Sequence, residues 1–166
     1  MSIALVILAA GQGTRMNSDL PKVLHKVAGA PLLAHAMHAG AALEPEKIVI
    51  VAGHGADQVA QAAHDQDETA QIVIQSEQLG TAHAVAQAKS ALAGFFGDVI
   101  VLYGDTPFIR PETLDRMIAA RADNAVVVLG FQAKEPGRYG RLVMDGDSLR
   151  RIVEFKDATE VERAIT

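Results

Sequence analysis

The sequence predicts an α/β fold: a doubly wound, mostly parallel sheet with helices on both faces, followed by a late β-hairpin. Short aliphatic runs alternate with Ala-rich segments along most of the chain, and many of the connections carry glycine. Such alternation is typical of right-handed βαβ units, which set strands side by side and place helices on the faces of the sheet. The composition agrees with this architecture, because 49% of the residues are hydrophobic and only 4% are aromatic.

Buried parallel strands are expected where an aliphatic run ends at a glycine or a polar loop. These runs cover residues 3–9, 47–52, 71–75, 99–103 and 125–131. Helices are expected over residues 31–43, 56–64, 81–92 and 111–122. Pro31 suits the first turn of its helix, and Thr81 or a neighbour suits a helix cap.

The pattern changes near the end of the chain. Residues 139–144 and 149–155 are separated by Asp145-Gly146-Asp147, a turn sequence that favours a β-hairpin. A charged, helix-like tail begins at Ala158. No internal repeat or low-complexity tract interrupts the chain, so its 166 residues are expected to form a single domain.

Charge and composition argue against several classes of protein. A net charge of −5 and a pI of about 5.6 disfavour nonspecific nucleic-acid binding, so an anionic ligand must be held by a few placed cations. Without cysteine, a disulfide framework and a thiolate metal site are excluded. The first apolar run is too short to insert into a membrane and lacks a basic leader, so we expect a cytoplasmic protein.

The loop that follows the first strand has the features of a phosphate-binding turn. Gly11 and Gly13 remove side chains from the turn, so that backbone N–H groups can approach an anion, and the cations Arg15 and Lys22 follow. The loop matches neither a Walker motif nor a dinucleotide fingerprint. The alternative is an ordinary glycine turn with two solvated cations.

Loops after three of the expected strands should meet, because ligands of doubly wound sheets bind at the carboxyl ends of strands. These loops cover residues 10–21, 76–80 and 104–107. Asp105 follows the most hydrophobic strand, where a carboxylate can hold Mg²⁺ while phosphates and waters complete the octahedron. The alternative is an Asp that only forms the turn. A metal site made from His35 and His38, at helical i,i+3 spacing, is the weaker hypothesis.

A family resemblance rests on the motifs themselves. Residues 8–16, Leu-Ala-Ala-Gly-Gln-Gly-Thr-Arg-Met, followed by Pro21-Lys22-Val23-Leu24, resemble the signature of the sugar nucleotidyltransferases. Blocks at 75–85, 103–107, 139–142 and 152–159 extend the resemblance over nearly the whole chain. Together they are similar to the uridyltransferase (pyrophosphorylase) domain of the bacterial bifunctional N-acetylglucosamine-1-phosphate uridyltransferases.

The resemblance implies a Rossmann-like nucleotide-diphospho-sugar transferase fold and a magnesium-dependent reaction. UTP and N-acetylglucosamine 1-phosphate would give UDP-N-acetylglucosamine and pyrophosphate, for peptidoglycan and lipopolysaccharide precursors. It assigns catalytic roles to Arg15 and Lys22 and a Mg²⁺ ligand to Asp105. The substrate-binding residues that it implies are Leu8, Ala9, Ala10, Gly11, Gly13, Lys22, Gln75, Gly80, Thr81, Tyr103, Gly104, Asp105, Gly140 and Glu154.

Three of these assignments have a plain structural alternative. The resemblance gives Gln75 to the uracil ring, but an amide can flip and pair with cytosine equally well, or bond only to nearby backbone. It gives Gly140 and Glu154 to the N-acetylglucosamine part of the substrate. From the residues alone, Gly140 is a bulge and Glu154 a solvent-facing strand residue.

The resemblance also implies that residues 1–166 form a nucleotidyltransferase domain that is incomplete at its C-terminal end. A second magnesium ligand, the acetyltransferase domain and the trimer contacts of the family are expected beyond Thr166. Two alternatives remain open. One is a related nucleotidyltransferase with another base or sugar, and the other is a nucleotide-binding fragment without turnover.

Overall fold

The computed structural model describes residues 2–13 and 16–166, and this part of the chain forms both a parallel sheet and a late hairpin. The strands are β1 (Ile3–Ala9), β2 (Lys26–Val27), β3 (Ala30–Pro31), β4 (Lys47–Ala52), β5 (Gln71–Ile74), β6 (Asp98–Tyr103), β7 (Arg141–Asp145) and β8 (Ser148–Val153). The helices are α1 (Leu32–Ala41), α2 (Ala56–His64), α3 (Thr81–Gln87), α4 (Pro111–Arg121) and α5 (Glu160–Arg163). The chain divides into two compact units, one up to Asp123 and one from Asn124 to Thr166.

The first unit is built on a four-stranded parallel sheet in the order β5-β4-β1-β6. β1 pairs in parallel with both neighbours, and Leu8 stands opposite Val51 on one side and Tyr103 on the other. After β1 the chain therefore adds β4 and β5 on one side of it, and then returns to place β6 on the other side. This confirms the predicted doubly wound sheet and places the carboxyl ends of β1, β5 and β6 along one edge.

Helices cover both faces of this sheet, as predicted. On one face, α1, α2 and α4 pack through Leu33, Val59 and Leu114, all fully buried, against alternate strand residues such as Leu5 and Ile50. On the other face, Ala84 of α3 and the following Ala88 pack against the intervening strand residues Val6, Val49 and Val51. Because β1 and β4 are buried on both faces, they read as continuous aliphatic runs.

Two predicted elements differ from the structure. The helix expected over 81–92 ends at Gln87, and the chain continues in turns closed by i→i+3 bonds, such as Lys89 N–H to Ala86 C=O at 3.2 Å. The strand expected over 125–131 is wrong, because no described residue pairs with it as a strand. Most of its aliphatic and aromatic side chains are exposed, with Val126 at 76% and Phe131 at 69%.

The second unit contains the predicted hairpin and a short terminal helix. β7 and β8 pair antiparallel with an irregularity between Val143 and Met144, and Gly146 takes a φ of +57° in their turn. Thr159 and Glu162 form a reciprocal capping box at the start of α5. The hydrogen bonds that the Thr159 backbone N–H and hydroxyl donate to the Glu162 carboxylate lower the pKa of that carboxyl group.

No helix within residues 2–13 and 16–166 is both long enough and apolar enough to cross a membrane.

Leu114→Ala tests the packing of α4. Removing a fully buried side chain leaves a cavity, so we expect the free energy of unfolding to fall by about 2–5 kcal/mol in urea denaturation. Arg116→Ala, on the exposed side of the same helix, is the control and should change it by less than about 0.5 kcal/mol. Equal effects of the two substitutions would contradict the packing described here.

Candidate active site

Three strand-end loops of the first unit meet around one cleft of about 300 Å³. They follow β1, β5 and β6, the strands whose carboxyl ends were expected to converge. The residues that line the cleft are Leu8, Ala10, Gly11, Lys22, Val23, Gln75, Gln78, Gly80, Thr81, Ala84, Tyr103 and Asp105. Nine of them are among the residues that the family resemblance implies for substrate binding, so the structure brings most of that set together.

The loop after β1 presents bare backbone to the cleft. A Cβ at Gly11 would have no heavy atom within 4 Å, so the peptide there is open to a ligand. The loop is held from behind by Gly53, where a Cβ would lie 2.9 Å from the Ala10 carbonyl oxygen. Only glycine at position 53 therefore allows the two backbone segments to pack this closely.

Lys22 is positioned by its immediate neighbours. Pro21, Val23 and Leu24 are buried, and residues 22–24 form a 3₁₀ turn, so the chain on both sides of the lysine is anchored in the core. Gly13 lies against the stem of Lys22, since a Cβ at Gly13 would come within 2.7 Å of the lysine Cβ. The second glycine of the loop thus makes room for the lysine as well as shaping the turn, where its φ is +62°.

Asp105 is held in a tight turn at the end of β6. The Gly104 N–H donates to the Leu8 carbonyl at 2.9 Å and continues the β1–β6 ladder by one residue. Thr106 then closes the turn, with its N–H and hydroxyl donating to the Tyr103 carbonyl at 3.1 and 2.9 Å. The backbone on both sides of Asp105 is therefore fixed by the sheet and the turn together.

The ammonium of Lys22 and the carboxylate of Asp105 form an ion pair across the cleft. Lys22 Nζ lies 2.5 Å from Asp105 Oδ2, although 83 residues separate them in the sequence. Their side chains are 39% and 28% exposed, so a ligand in the cleft can reach both charges. The carboxylate thus already binds a cation at this position.

A divalent metal can bind the Asp105 carboxylate if a phosphorylated ligand supplies most of its other coordination. Among the described residues, no group of three or more His, Asp or Glu side chains could hold a metal ion. Magnesium commonly takes one or two carboxylates and completes its octahedron with phosphates and water. A metal at Asp105 would therefore depend on a phosphorylated ligand for most of its coordination.

Gln75 lies at the end of β5, 6% exposed, with its backbone N–H bonded to the Ala52 carbonyl at 2.8 Å. Its amide Nε2 lies 3.3 Å from the Gly80 carbonyl oxygen and 3.1 Å from His83 Nδ1. The amide nitrogen is therefore held by two protein groups, while the residue lines the cleft. Gly80, at a φ of +100°, allows the turn into α3 that brings its own carbonyl to Gln75.

Some cleft residues were absent from the sequence-based set. Gln78 donates from Nε2 to the Ala10 carbonyl at 3.0 Å and so ties the loop after β5 to the glycine loop. In the sequence, the feature that could have indicated Gln78 as a cleft residue was its position two residues before Gly80. Val23 and Ala84 line the cleft with apolar surface, which sequence analysis had no means of separating from ordinary core.

The remaining predicted site residues lie elsewhere. Ala9 is 1% exposed and packs in the core, while Gly104 lies behind the cleft against Leu8 and Val23. Gly140 and Glu154 belong to the second unit, where a Cβ at Gly140 would be 4.0 Å from Glu154 Oε2. Arg15 lies outside the described residues, so its predicted role stays a prediction.

The two histidines considered for a metal site belong to no group of three or more potential metal ligands within the part of the chain that the structure describes. His35 Nε2 bonds to the Val27 carbonyl at 2.8 Å, and His38 lies exposed on α1. Both histidines thus have an ordinary structural explanation.

Transfer of a nucleotidyl group needs a cation for the phosphates, a carboxylate for a divalent metal and a pocket for the base. The cleft holds groups of these kinds, an ammonium and a carboxylate in the Lys22–Asp105 pair and open space lined by Gln75. The fold and the cleft together define the class of the protein as an α/β nucleotidyltransferase.

Comparison with known proteins gives the family. A family model described as the MobA-like NTP transferase domain matches residues 5–165, so the chain belongs to this family. The bifunctional protein GlmU of Ruegeria pomeroyi is 70% identical over 165 residues, which are 99% of this chain and 37% of that protein. GlmU of Cereibacter sphaeroides is 69% identical, over 99% of this chain and 36% of its own length. The chain thus spans little more than a third of these relatives.

Solved structures agree on the fold. HddC from Yersinia pseudotuberculosis, complexed with GMP-PN, has a TM-score of 0.74 and 26% identity, covering 91% of this chain and 68% of that one. A UTP-bound UGPase from Acinetobacter baumannii has a TM-score of 0.59 and 22% identity, covering 75% and 54%. The second likeness shows the fold alone.

Gly13→Ala tests how the glycine loop positions Lys22. A methyl group 2.7 Å from the lysine Cβ must displace that side chain, so we expect affinity for a magnesium–nucleotide complex to fall about tenfold or more.

Gly94→Ala is the matched control for this substitution. Gly94 also has a positive φ, +73°, but has no heavy atom within 4 Å of an added Cβ. It should carry the same kind of backbone strain without touching the site. If calorimetry shows an equal loss of affinity in both variants, backbone strain rather than the lysine contact is responsible.

Proposed function

We propose that this chain carries the uridylyl-transfer site of an N-acetylglucosamine-1-phosphate uridyltransferase that acts in the cytoplasm. UTP and N-acetylglucosamine 1-phosphate would give UDP-N-acetylglucosamine and pyrophosphate. The observation that carries the proposal is the Lys22–Asp105 pair at 2.5 Å in the same cleft as Gln75. The 70% identity to GlmU over 99% of the chain supports the choice of this reaction within the family.

The chemistry is an in-line displacement at the α-phosphorus of UTP. An oxygen of the sugar phosphate forms the new P–O bond, and the bond to the β-phosphate oxygen breaks as pyrophosphate leaves with the electron pair. The attacking oxygen is already anionic, so the step needs no general base. Catalysis then consists of positioning and of offsetting negative charge.

Lys22 supplies positive charge at the phosphates in this proposal. Its 39% exposure lets the ammonium turn from Asp105 toward a phosphate in the cleft, while the buried Pro21, Val23 and Leu24 keep its backbone fixed. Gly11 offers open backbone beside it. Arg15, which lies outside the described residues, is proposed to add a second cation on the same loop.

Asp105 is proposed to hold Mg²⁺ when the nucleotide binds. The bound ion would supply charge neutralisation at the phosphate oxygens. The carboxylate is suited to this role because it stands at a fixed turn, remains 28% exposed and already accepts a cation. When Lys22 turns to the phosphates, Asp105 becomes free to bind the metal. Each of the two exchanges of ionic partner therefore favours the other.

The sugar end of the substrate is assigned to the second unit. Glu154 lines a cavity there together with Arg138, Phe155 and Lys156. Gly140 is a neighbour of the Glu154 carboxylate, since a Cβ at position 140 would lie in ordinary van der Waals contact with it, at 4.0 Å. We propose that Gly140 and Glu154 contact the N-acetylglucosamine part of the substrate.

Magnesium-dependent release of pyrophosphate tests the proposal. UTP should be compared with CTP, GTP and ATP, each with N-acetylglucosamine 1-phosphate, glucose 1-phosphate and mannose 1-phosphate. We expect release to be fastest with UTP and N-acetylglucosamine 1-phosphate. Faster release with another nucleotide and sugar phosphate would replace the proposed substrates with that pair. If no pair released pyrophosphate, the proposal that this chain turns over would be contradicted.

Lys22→Ala should lower turnover far more than it loosens sugar binding. Loss of a cation that acts on the transferring phosphoryl group is expected to cost about 100-fold in kcat, with the KM for the sugar phosphate changed by less than roughly threefold. Lys89→Ala, at an exposed position beyond α3, is the control and should leave both constants unchanged. Unchanged turnover in Lys22→Ala would remove Lys22 from the mechanism.

Asp105→Asn should remove the benefit of metal for nucleotide binding. We expect Mg²⁺ to raise the affinity for UTP about tenfold or more over EDTA in the unsubstituted chain, and to have little effect in the variant. The exposed Asp115→Asn on α4 controls for the loss of one negative charge. A metal response in Asp105→Asn as large as in the control would place the metal elsewhere.

A further inference from the structure

We infer that His83 is the residue that selects the base, by fixing the orientation of the Gln75 amide so that only its oxygen is available to a nucleotide. The inference rests on the proposed function and deepens it. Gln75 alone does not discriminate, since its amide can present either a donor or an acceptor. The neighbours of Gln75 remove this freedom.

The Gln75 amide nitrogen has two contacts within the protein. Nε2 faces the Gly80 carbonyl oxygen at 3.3 Å and His83 Nδ1 at 3.1 Å. The carbonyl can only accept, so the group facing it must be the NH₂ and not the amide oxygen. A flipped amide would set two oxygens against each other in a site where Gln75 is 6% exposed.

His83 completes this arrangement when its Nδ1 accepts a hydrogen bond from the Gln75 amide. Gln87 also places its Nε2 3.1 Å from the other ring nitrogen, and a neutral imidazole accepts at only one nitrogen, so the two amides compete. Gln87 is half-exposed and its amide also donates to the His83 carbonyl at 3.0 Å. Gln75 is buried, and its second N–H has no other acceptor to replace His83 Nδ1. Leaving this N–H without a hydrogen bond costs more than leaving that of Gln87, so the favoured tautomer of His83 is the one whose Nδ1 accepts from Gln75.

Both hydrogens of the Gln75 amide are then used within the protein. Its oxygen is the group left to bond a ligand in the cleft that Gln75 lines. A fixed acceptor matches the N3–H of uracil. Cytosine presents an unprotonated N3 at the same position, so lone pair would face lone pair, and cytosine must shift to bring its amino group to the oxygen.

His83 is therefore a positioning residue for specificity and not a catalytic residue. It lies on the first turn of α3, three residues after Gly80, so one short segment supplies both partners of the amide. Without His83, the Gly80 carbonyl would hold the amide through a single contact of 3.3 Å, and the amide could turn to suit cytosine.

The test is the ratio of the dissociation constants for CTP and UTP, each measured with Mg²⁺ by calorimetry on the whole 166-residue chain. In His83→Ala we expect this ratio to fall about five- to tenfold, mainly through tighter CTP binding. His83→Asn keeps an acceptor oxygen near the place of Nδ1 and should restore the ratio to within about twofold of the unsubstituted chain. His38→Ala, an exposed histidine on α1, is the control and should leave it unchanged.

The outcomes separate the inference from the proposed function. An unchanged ratio in His83→Ala, or an equal loss of both nucleotides in a folded variant, overturns the role of His83 and leaves the proposed function standing. Failure of the unsubstituted chain to bind UTP overturns the proposed function and the inference with it. If His83→Ala does not fold, His83→Leu fills the same volume without an acceptor and takes its place in the test.

Discussion

The ion pair between Lys22 and Asp105 is the contact on which the site depends. It joins the loop after β1 to the turn after β6 at 2.5 Å, and both partners have backbone fixed by the core or the sheet. A surface ion pair of this exposure contributes little to stability. Its importance in the proposed function is chemical, because in a nucleotide complex the ammonium would turn to the phosphates and the carboxylate to a metal.

The fold places these two charges together through strand order. β1 lies between β4 and β6, so residues far apart in the sequence end side by side at one edge of the sheet. Leu8 stands opposite Tyr103, and each is followed by the loop that carries one member of the pair. Gly53 allows the close backbone approach to Ala10 at this edge, and Gly13 leaves room for the stem of Lys22.

Much of this was predictable from the sequence, because buried parallel strands leave continuous aliphatic runs and strand-end loops carry the chemistry. The prediction of a strand at 125–131 was wrong, because a strand also needs a neighbouring strand to pair with. An aliphatic run does not by itself show whether such a neighbour exists. The role that we infer for His83 was equally hidden. An amide orientation depends on which acceptors surround it, and the contacts of Gln75 with Gly80 and His83 exist only in three dimensions.

The most direct test of the account is a crystal structure of the chain with UTP and Mg²⁺. We expect Lys22 Nζ to have left Asp105 for a phosphate oxygen, the metal to lie on the Asp105 carboxylate, and the uracil N3–H to face the Gln75 oxygen. A complex in which the nucleotide binds while the Lys22–Asp105 contact stays closed, with the metal elsewhere, would contradict the exchange of partners at the centre of this account.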